Sequence, residues 1–154
     1  MKAAIHFVAT LGPVGYSPVA PATVASALVV LAAWFIPSPN PWVVVLLFAL
    51  GTALAVWVTG RAEQDLGRDA HAIVADEVLG QSLALLGVPH SLGAYFASLV
   101  LFRIFDIWKP LGARQAQSLV GGLGVVGDDV IAGFTACAAF HVGSWGVHAL
   151  GWVR

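Results

Sequence analysis

Residues 42–60 contain no charged side chain. At ~1.5 Å per residue they make about 28 Å of helix, enough to cross a hydrocarbon core of ~30 Å. Four further apolar runs, 23–36, 73–88, 92–108 and 125–153, also have helical length. Breakers separate them: PSPNP at 37–41, the polar stretch RAEQDLGRDA at 61–70, VPHS at 88–91 and a Gly-rich segment at 109–127. The expected fold is all-α, an integral membrane bundle of about four to five helices forming one domain over residues 1–154. Runs 23–36 and 73–88 are short or interrupted by polar residues, so they are expected to half-span or to pack inside the bundle. Composition agrees: 59% of residues are hydrophobic, against roughly 45–50% in soluble domains. The opening MKAAIHFVATLG is like a weak signal peptide without a convincing cleavage site, and is read as part of the mature protein.

Only 10% of the residues are charged, yet five of the 8 acids fall into three clusters within this apolar sequence. They are Asp76-Glu77 in AIVADEVLG, Asp106 in LFRIFDIWKP and Asp128-Asp129 in GGLGVVGDDVIAG. An ionisable side chain at the bilayer centre costs about 2.5–3.5 kcal/mol on insertion scales. Several such groups need a cation, a basic side chain or water to compensate them, which is what a functional site provides.

If each apolar run crosses once, the N-terminal segment and the 61–70 and 109–127 loops share one face. Lys2, Arg61, Arg68, Lys109 and Arg114 lie on that face, with Arg103 close by and only Arg154 opposite. By the positive-inside rule that face is cytoplasmic. The same alternation brings all three acidic clusters to it, so the expected site lies at the cytoplasmic rim.

Each cluster has a structural alternative. Asp76-Glu77 suits a cation held between neighbouring carboxylates, or a helix N-terminus complementing its dipole, a role better suited to Asp69. Arg103, Asp106 and Lys109, spaced i, i+3, i+6, make an ion-pair ladder or, with surplus positive charge, a phosphate site. Asp128-Asp129 follow four glycines at the expected start of the last helix, where they would attract a divalent cation or cap the helix. Gly133 would allow close helix packing. In YSPVAPATVAS, Thr23 is placed to cap the first apolar helix after Pro18 and Pro21, and Thr23 and Ser26 are also candidates for ligand contact.

His141 and His148 sit too far along the last helix to join the acids, whereas His71 is near enough to assist as a base. Trp34, Trp42, Trp57, Trp108, Trp145 and Trp152 tend to fall near run ends, as interface anchors do. Cys137, the single cysteine, reads as core packing and allows no disulfide within the chain. A net charge of −1 without a basic stripe gives no reason to expect nucleic-acid binding.

The chain has no Cys-x5-Arg loop and no Asp-x-Asp motif, and it lacks the Ser/His/Arg pattern of phosphohistidine lipid phosphatases. For an enzyme, carboxylates with basic residues leave metal-assisted hydrolysis. A small ion or proton transporter with an acidic relay is the competing class, and a noncatalytic assembly subunit is a third.

VLFRIFDIWKP followed by GGLGVVGDDVIAG, with IVADEVLG and YSPVAPATVAS upstream in the same order, resembles the phosphatidylglycerophosphatase A family. The likeness spans roughly residues 12–135. It implies a bacterial inner-membrane enzyme, working in the bilayer with its site toward the cytoplasm, that removes the terminal phosphate of phosphatidylglycerophosphate with Mg²⁺. Carried onto this chain, Asp76, Glu77, Asp128 and Asp129 would ligate the metal, and Glu77, Asp106, Asp128 and Asp129 would be catalytic. Arg103, Lys109, Thr23 and Ser26 would contact substrate. Two departures stand out: Ala22 and Ala25 occupy positions where the family usually has glycine, and Gly112 stands where a second proline is usual.

Overall fold

The structure is a computed structural model, and it describes residues 1–36, 40–68 and 70–150. Among them are seven α-helices and no strand: α1 (Lys2–Ala9), α2 (Pro21–Trp34), α3 (Pro41–Leu66), α4 (Ala75–Ala84), α5 (Leu92–Trp108), α6 (Ala113–Gln117) and α7 (Gly122–Ala149). A 3-10 turn, Val14–Tyr16, lies between α1 and α2. The all-α class holds, but the count exceeds four to five. The two added helices are short: α1 forms in the leader-like N-terminus, and the five-residue α6 interrupts the Gly-rich segment.

Several boundaries also differ from expectation. Residues 61–66 extend α3 rather than breaking it, because Arg61, Glu63 and Gln64 are good helix formers. The helix stops at Gly67, whose φ of 96° is a conformation glycine adopts freely. The 73–88 run yields only the ten residues of α4. Asp69, Trp152 and Arg154 lie outside the described residues, so the capping, anchoring and sidedness expected of them stay there too.

Two helices, Trp42–Leu66 and Gly122–Ala149, are long and apolar enough to cross a membrane. Only 17% of the most apolar stretch of α3 is buried, so it is not the core helix of a water-soluble fold. Its exposed Val45, Leu46, Leu47 and Leu50 need an apolar surrounding. Trp42, Trp57, Trp108 and Trp145 are also exposed, whereas Trp34 is partly buried in a ring cluster.

The interior sits where α4 crosses α7, and glycines set how closely they approach. A Cβ on Gly133 would lie 2.2 Å from the Gly80 carbonyl oxygen. One on Gly80 would lie 2.5 Å from the Phe102 ring and 2.8 Å from the Asp129 carbonyl oxygen. The expected close packing at Gly133 is therefore present, with Gly80 as its counterpart. Phe102, Ala84, Ala132 and Ala136 pack around this crossing. Cys137 is only half-buried, its Sγ 3.5 Å from the Leu86 carbonyl oxygen, which also lies 2.9 Å from His141 Nε2. It lines a helix–loop contact rather than the core.

Candidate active site

Asp76 and Glu77 fall in the first turn of α4, and the chain before them is tightly held. The Val74 N–H donates to the Ala9 carbonyl at 2.9 Å, tying the start of α4 to the end of α1. Gly15 presses on the same strand of chain; a Cβ there would lie 2.0 Å from the Ala72 carbonyl oxygen. The start of α4 thus has little freedom, and its two carboxylates are aimed at α7.

Asp128 and Asp129 are not at the start of α7, as the sequence suggested. The helix begins at Gly122, its first turn has no acid, and the N-cap is Gly121. Helix α7 opens on Gly122-Leu123-Gly124, where a Cβ on Gly122 would lie 1.9 Å from the Val56 carbonyl oxygen, so only glycine fits that close to α3. Capping is therefore excluded for Asp128. Both acids are buried about two turns inside the helix.

One cleft of about 370 Å³ gathers Asp76, Glu77, Arg103, Asp106, Lys109, Asp128 and Asp129, with His71, Ala20, Pro21 and Ala22 also on its walls. All three acidic clusters converge there. One oxygen each from Asp76, Glu77 and Asp129 lies within 4.8 Å of the others, near enough to share one cation. Asp76 Oδ1, Glu77 Oε2 and Asp129 Oδ2 are buried without a hydrogen-bond partner. Burial, followed by the charge of neighbouring Glu77, pushes the Asp76 carboxyl well above its usual range, and burial also raises Glu77. Buried acids with free lone pairs call for protons or a metal. Their oxygen-only, carboxylate-rich donor set fits magnesium.

The basic residues divide rather than forming a ladder. Arg103 Nη1 lies 2.7 Å from Asp106 Oδ2, an ion pair by distance whose angle does not make a hydrogen bond. Arg103 Nε, also buried, donates to nothing in the protein, so the guanidinium keeps N–H groups for an anion. Lys109 instead donates to Asp128. As the left-handed C-cap of α5, with φ of 51°, its side chain leaves the helix line set by Arg103 and Asp106. Burial alone would lower the Lys109 pKa, but the hydrogen bond and charge of Asp128 outweigh it and hold the ammonium above its usual value. Ala20, at the N-cap of α2, is also left-handed with φ of 43°. Two strained residues thus border one cleft, a common mark of functional sites.

Thr23 and Ser26 are not brought to the cleft. Pro21 and the left-handed Ala20 begin α2 without a side-chain cap, so Thr23 does not cap it and is exposed. Ser26 is fully buried and donates to the Ala22 carbonyl at 2.9 Å. Ala22 lines the cleft, whereas Ala25 is buried in packing. The sequence reading missed the role of Gly80, whose signal was a small residue one turn beyond Asp76-Glu77. It also missed the Lys109–Asp128 pair, for which sequence spacing gave no signal.

The family model described as phosphatidylglycerophosphatase A matches residues 7–144. A Bacteroides thetaiotaomicron protein provisionally named a phosphatidylinositol-3-phosphatase is 37% identical over 140 residues, covering 85% of this chain and 87% of its own. Phosphatidylglycerophosphatase A of Escherichia coli K12 is 33% identical over 131 residues, covering 82% of this chain and 76% of its own. The Haemophilus influenzae protein of the same name is 33% identical over 101 residues, covering 63% and 62%. No solved structure matches the chain significantly.

Proposed function

The chain belongs to the phosphatidylglycerophosphatase A family, and so to the lipid phosphatases; we propose that it hydrolyses the terminal phosphomonoester of phosphatidylglycerophosphate, yielding phosphatidylglycerol and phosphate. The observation that carries this reading is the set of three buried carboxylates with an oxygen each within 4.8 Å of the others, beside the half-buried Arg103 guanidinium, whose Nε and Nη1 donate to nothing in the protein. Such a site takes a divalent cation and a phosphate together.

Asp76, Glu77 and Asp129 would hold magnesium, with Asp128 adjoining, and the ion would supply Lewis-acid charge against the phosphate. Arg103 forks its remaining N–H groups onto the phosphate oxygens. Asp106 holds Arg103 in place and accepts a proton from the attacking water. As the new P–O bond forms, the bond to the glycerol oxygen breaks and that oxygen takes up a proton. His71, on the cleft wall, would serve it. Lys109 acts through Asp128: it holds that carboxylate and lends the cleft positive charge.

In this reading α3 and α7 span the inner membrane of a bacterium, and the cleft opens at the cytoplasmic rim, where a lipid phosphate is presented. The gathering of the acids into one cleft favours hydrolysis over a transport relay, which needs polar groups across the whole span.

Phosphate release from phosphatidylglycerophosphate by purified protein, measured with Mg²⁺ and with EDTA, tests the proposal. Magnesium-dependent release that disappears in Asp129→Asn is the expected result. Release unaffected by EDTA would remove the metal. The name of the 37% identical relative supports a second substrate, phosphatidylinositol 3-phosphate, assayed alongside. Faster release from that lipid would reassign the headgroup while keeping the chemistry.

A further inference from the structure

The acidic cleft draws its lining from several elements. Its inner wall is the acidic crossing of α4 and α7, and residues 70–73 close another side. The remaining walls are the start of α2, with Pro21 and Ala22, and the end of α5, with Arg103, Asp106 and Ile107. These helices run antiparallel. At their other ends they are pinned together: Trp34 of α2 meets Tyr95 of α5 edge-on at 5.7 Å and stacks on His90 at 4.2 Å. His90 Nε2 also lies 3.0 Å from the Trp34 carbonyl oxygen. The α2–α5 seam is therefore closed by aromatic rings at one end and leads into the cleft at the other.

Both helices turn apolar side chains outward along this seam. On α2, Val24, Leu28 and Leu31 are exposed at i, i+4, i+7 spacing. On α5, Val100, Ile104 and Ile107 repeat that spacing, and Ile107 is both 73% exposed and on the cleft wall. On α5 these exposed side chains reach the cleft at Ile107, where phosphate would bind. Helix α2 is about 21 Å long, longer than one leaflet's share of a ~30 Å core.

The geometry points to the α2–α5 seam as the lateral entrance for substrate, with the acyl chains lying along these outward residues and the headgroup turned into the cleft. This rests on the proposed lipid phosphomonoesterase activity. The occupant is a diacyl lipid because this apolar approach reaches the cleft at Ile107, beside Arg103 and Asp106.

Two measurements test it. The first compares kcat/KM for long-chain phosphatidylglycerophosphate in mixed micelles with that for a water-soluble dibutyryl analogue. In the variant carrying Leu28→Ser and Ile104→Ser, the long-chain to short-chain ratio should fall roughly tenfold, about the discrimination that a few apolar contacts give. Leu47→Ser, on the exposed face of α3, should leave the ratio unchanged. An unchanged ratio in the seam variant, or an equal fall in Leu47→Ser, would overturn the entrance. The second uses phosphatidylglycerophosphate carrying a mid-chain diazirine, photolysed with the inactive Asp129→Asn protein. Label on α2 and α5 that unlabelled substrate displaces is expected, whereas equal label on α3 overturns the seam. If wild type releases phosphate from neither substrate, the proposed function falls, and the labelling still decides where the lipid sits.

Discussion

Two clefts of similar size border the first turns of α7, and they differ in what is buried. The acidic cleft, about 370 Å³, holds Asp76, Glu77 and Asp129, each buried with a carboxylate oxygen that has no protein partner. The other, about 420 Å³, is lined by Glu63, Arg68, Arg114, Gln117 and Ser118. Its arginines are exposed, and Arg68 spends one N–H on the Gln117 carbonyl at 3.3 Å. That second hollow is therefore the chemically quieter one. A site is marked by desolvated groups with unspent hydrogen-bonding capacity, because those change energy most when a ligand arrives.

The strongest way to break that contrast is to remove one buried carboxylate. Asp129→Asn should lower phosphate release more than about 100-fold, beyond the usual cost of losing a mere supporting partner. Circular dichroism should show the helices intact; a loss under tenfold would move the chemistry elsewhere.

Metal addition should stabilise the acidic cleft in a pH-dependent way. Raised folded-state pKa values mean the native protein holds the Asp76 and Glu77 protons more tightly than the unfolded chain does. Their contribution is thus fully present below the unfolded values, about pH 4, and is lost as pH rises through the folded ones. Metal-free protein should therefore melt lower at neutral than at mildly acidic pH. Magnesium at a hundredfold excess over Kd should restore about 2.7 kcal/mol near pH 7.5 and less near pH 5. A Mg²⁺-induced Tm shift independent of pH would disconnect these acids from the metal.

Gly133→Leu tests the crossing that assembles the cleft. Its Cβ would meet the Gly80 carbonyl oxygen, and overpacking of this kind costs about 1–3 kcal/mol. Tm and activity should fall together, whereas a stable but inactive variant would separate packing from alignment. Lys109→Gln should reduce kcat about tenfold by loosening Asp128, while Lys109→Arg recovers part of it. Arg114→Gln, in the quieter cleft, should change phosphate release less than about twofold, as surface substitutions do. A tenfold loss there would show that both clefts serve the reaction.

The convergence of the three acidic clusters was legible because each lay near a run end and the runs alternate direction. Helix α5 was legible to the residue, since Ser91 and Pro110 bracket a run that is apolar but for Ser98, Arg103 and Asp106. What escaped were features decided by contact between distant parts of the chain. The start of α7 depends on how near Gly122 comes to α3, and the partner of Lys109 depends on a left-handed cap. Thr23 looked like a cap because hydroxyls usually provide one, but Pro21 and the left-handed Ala20 set the first turn earlier. Residues 61–66 looked like a loop because they are polar, yet polarity ends a bilayer span without ending a helix.

That last point makes α3 a gauge of depth. Its uncharged portion, residues 42–60, measures about 28 Å, but the helix continues through Asp65, about a turn and a half further on. There Lys2 Nζ and His6 Nε2 of α1 reach the Asp65 carboxylate at 2.8 and 3.1 Å. The N-terminal helix is thus moored to α3 beyond its uncharged portion. With α3 spanning the bilayer as proposed, a thicker bilayer would submerge the mooring and a thinner one would lift it clear, and the acyl length of the host lipid would then set how firmly α1, and through it the Val74–Ala9 bond at the mouth of α4, is held.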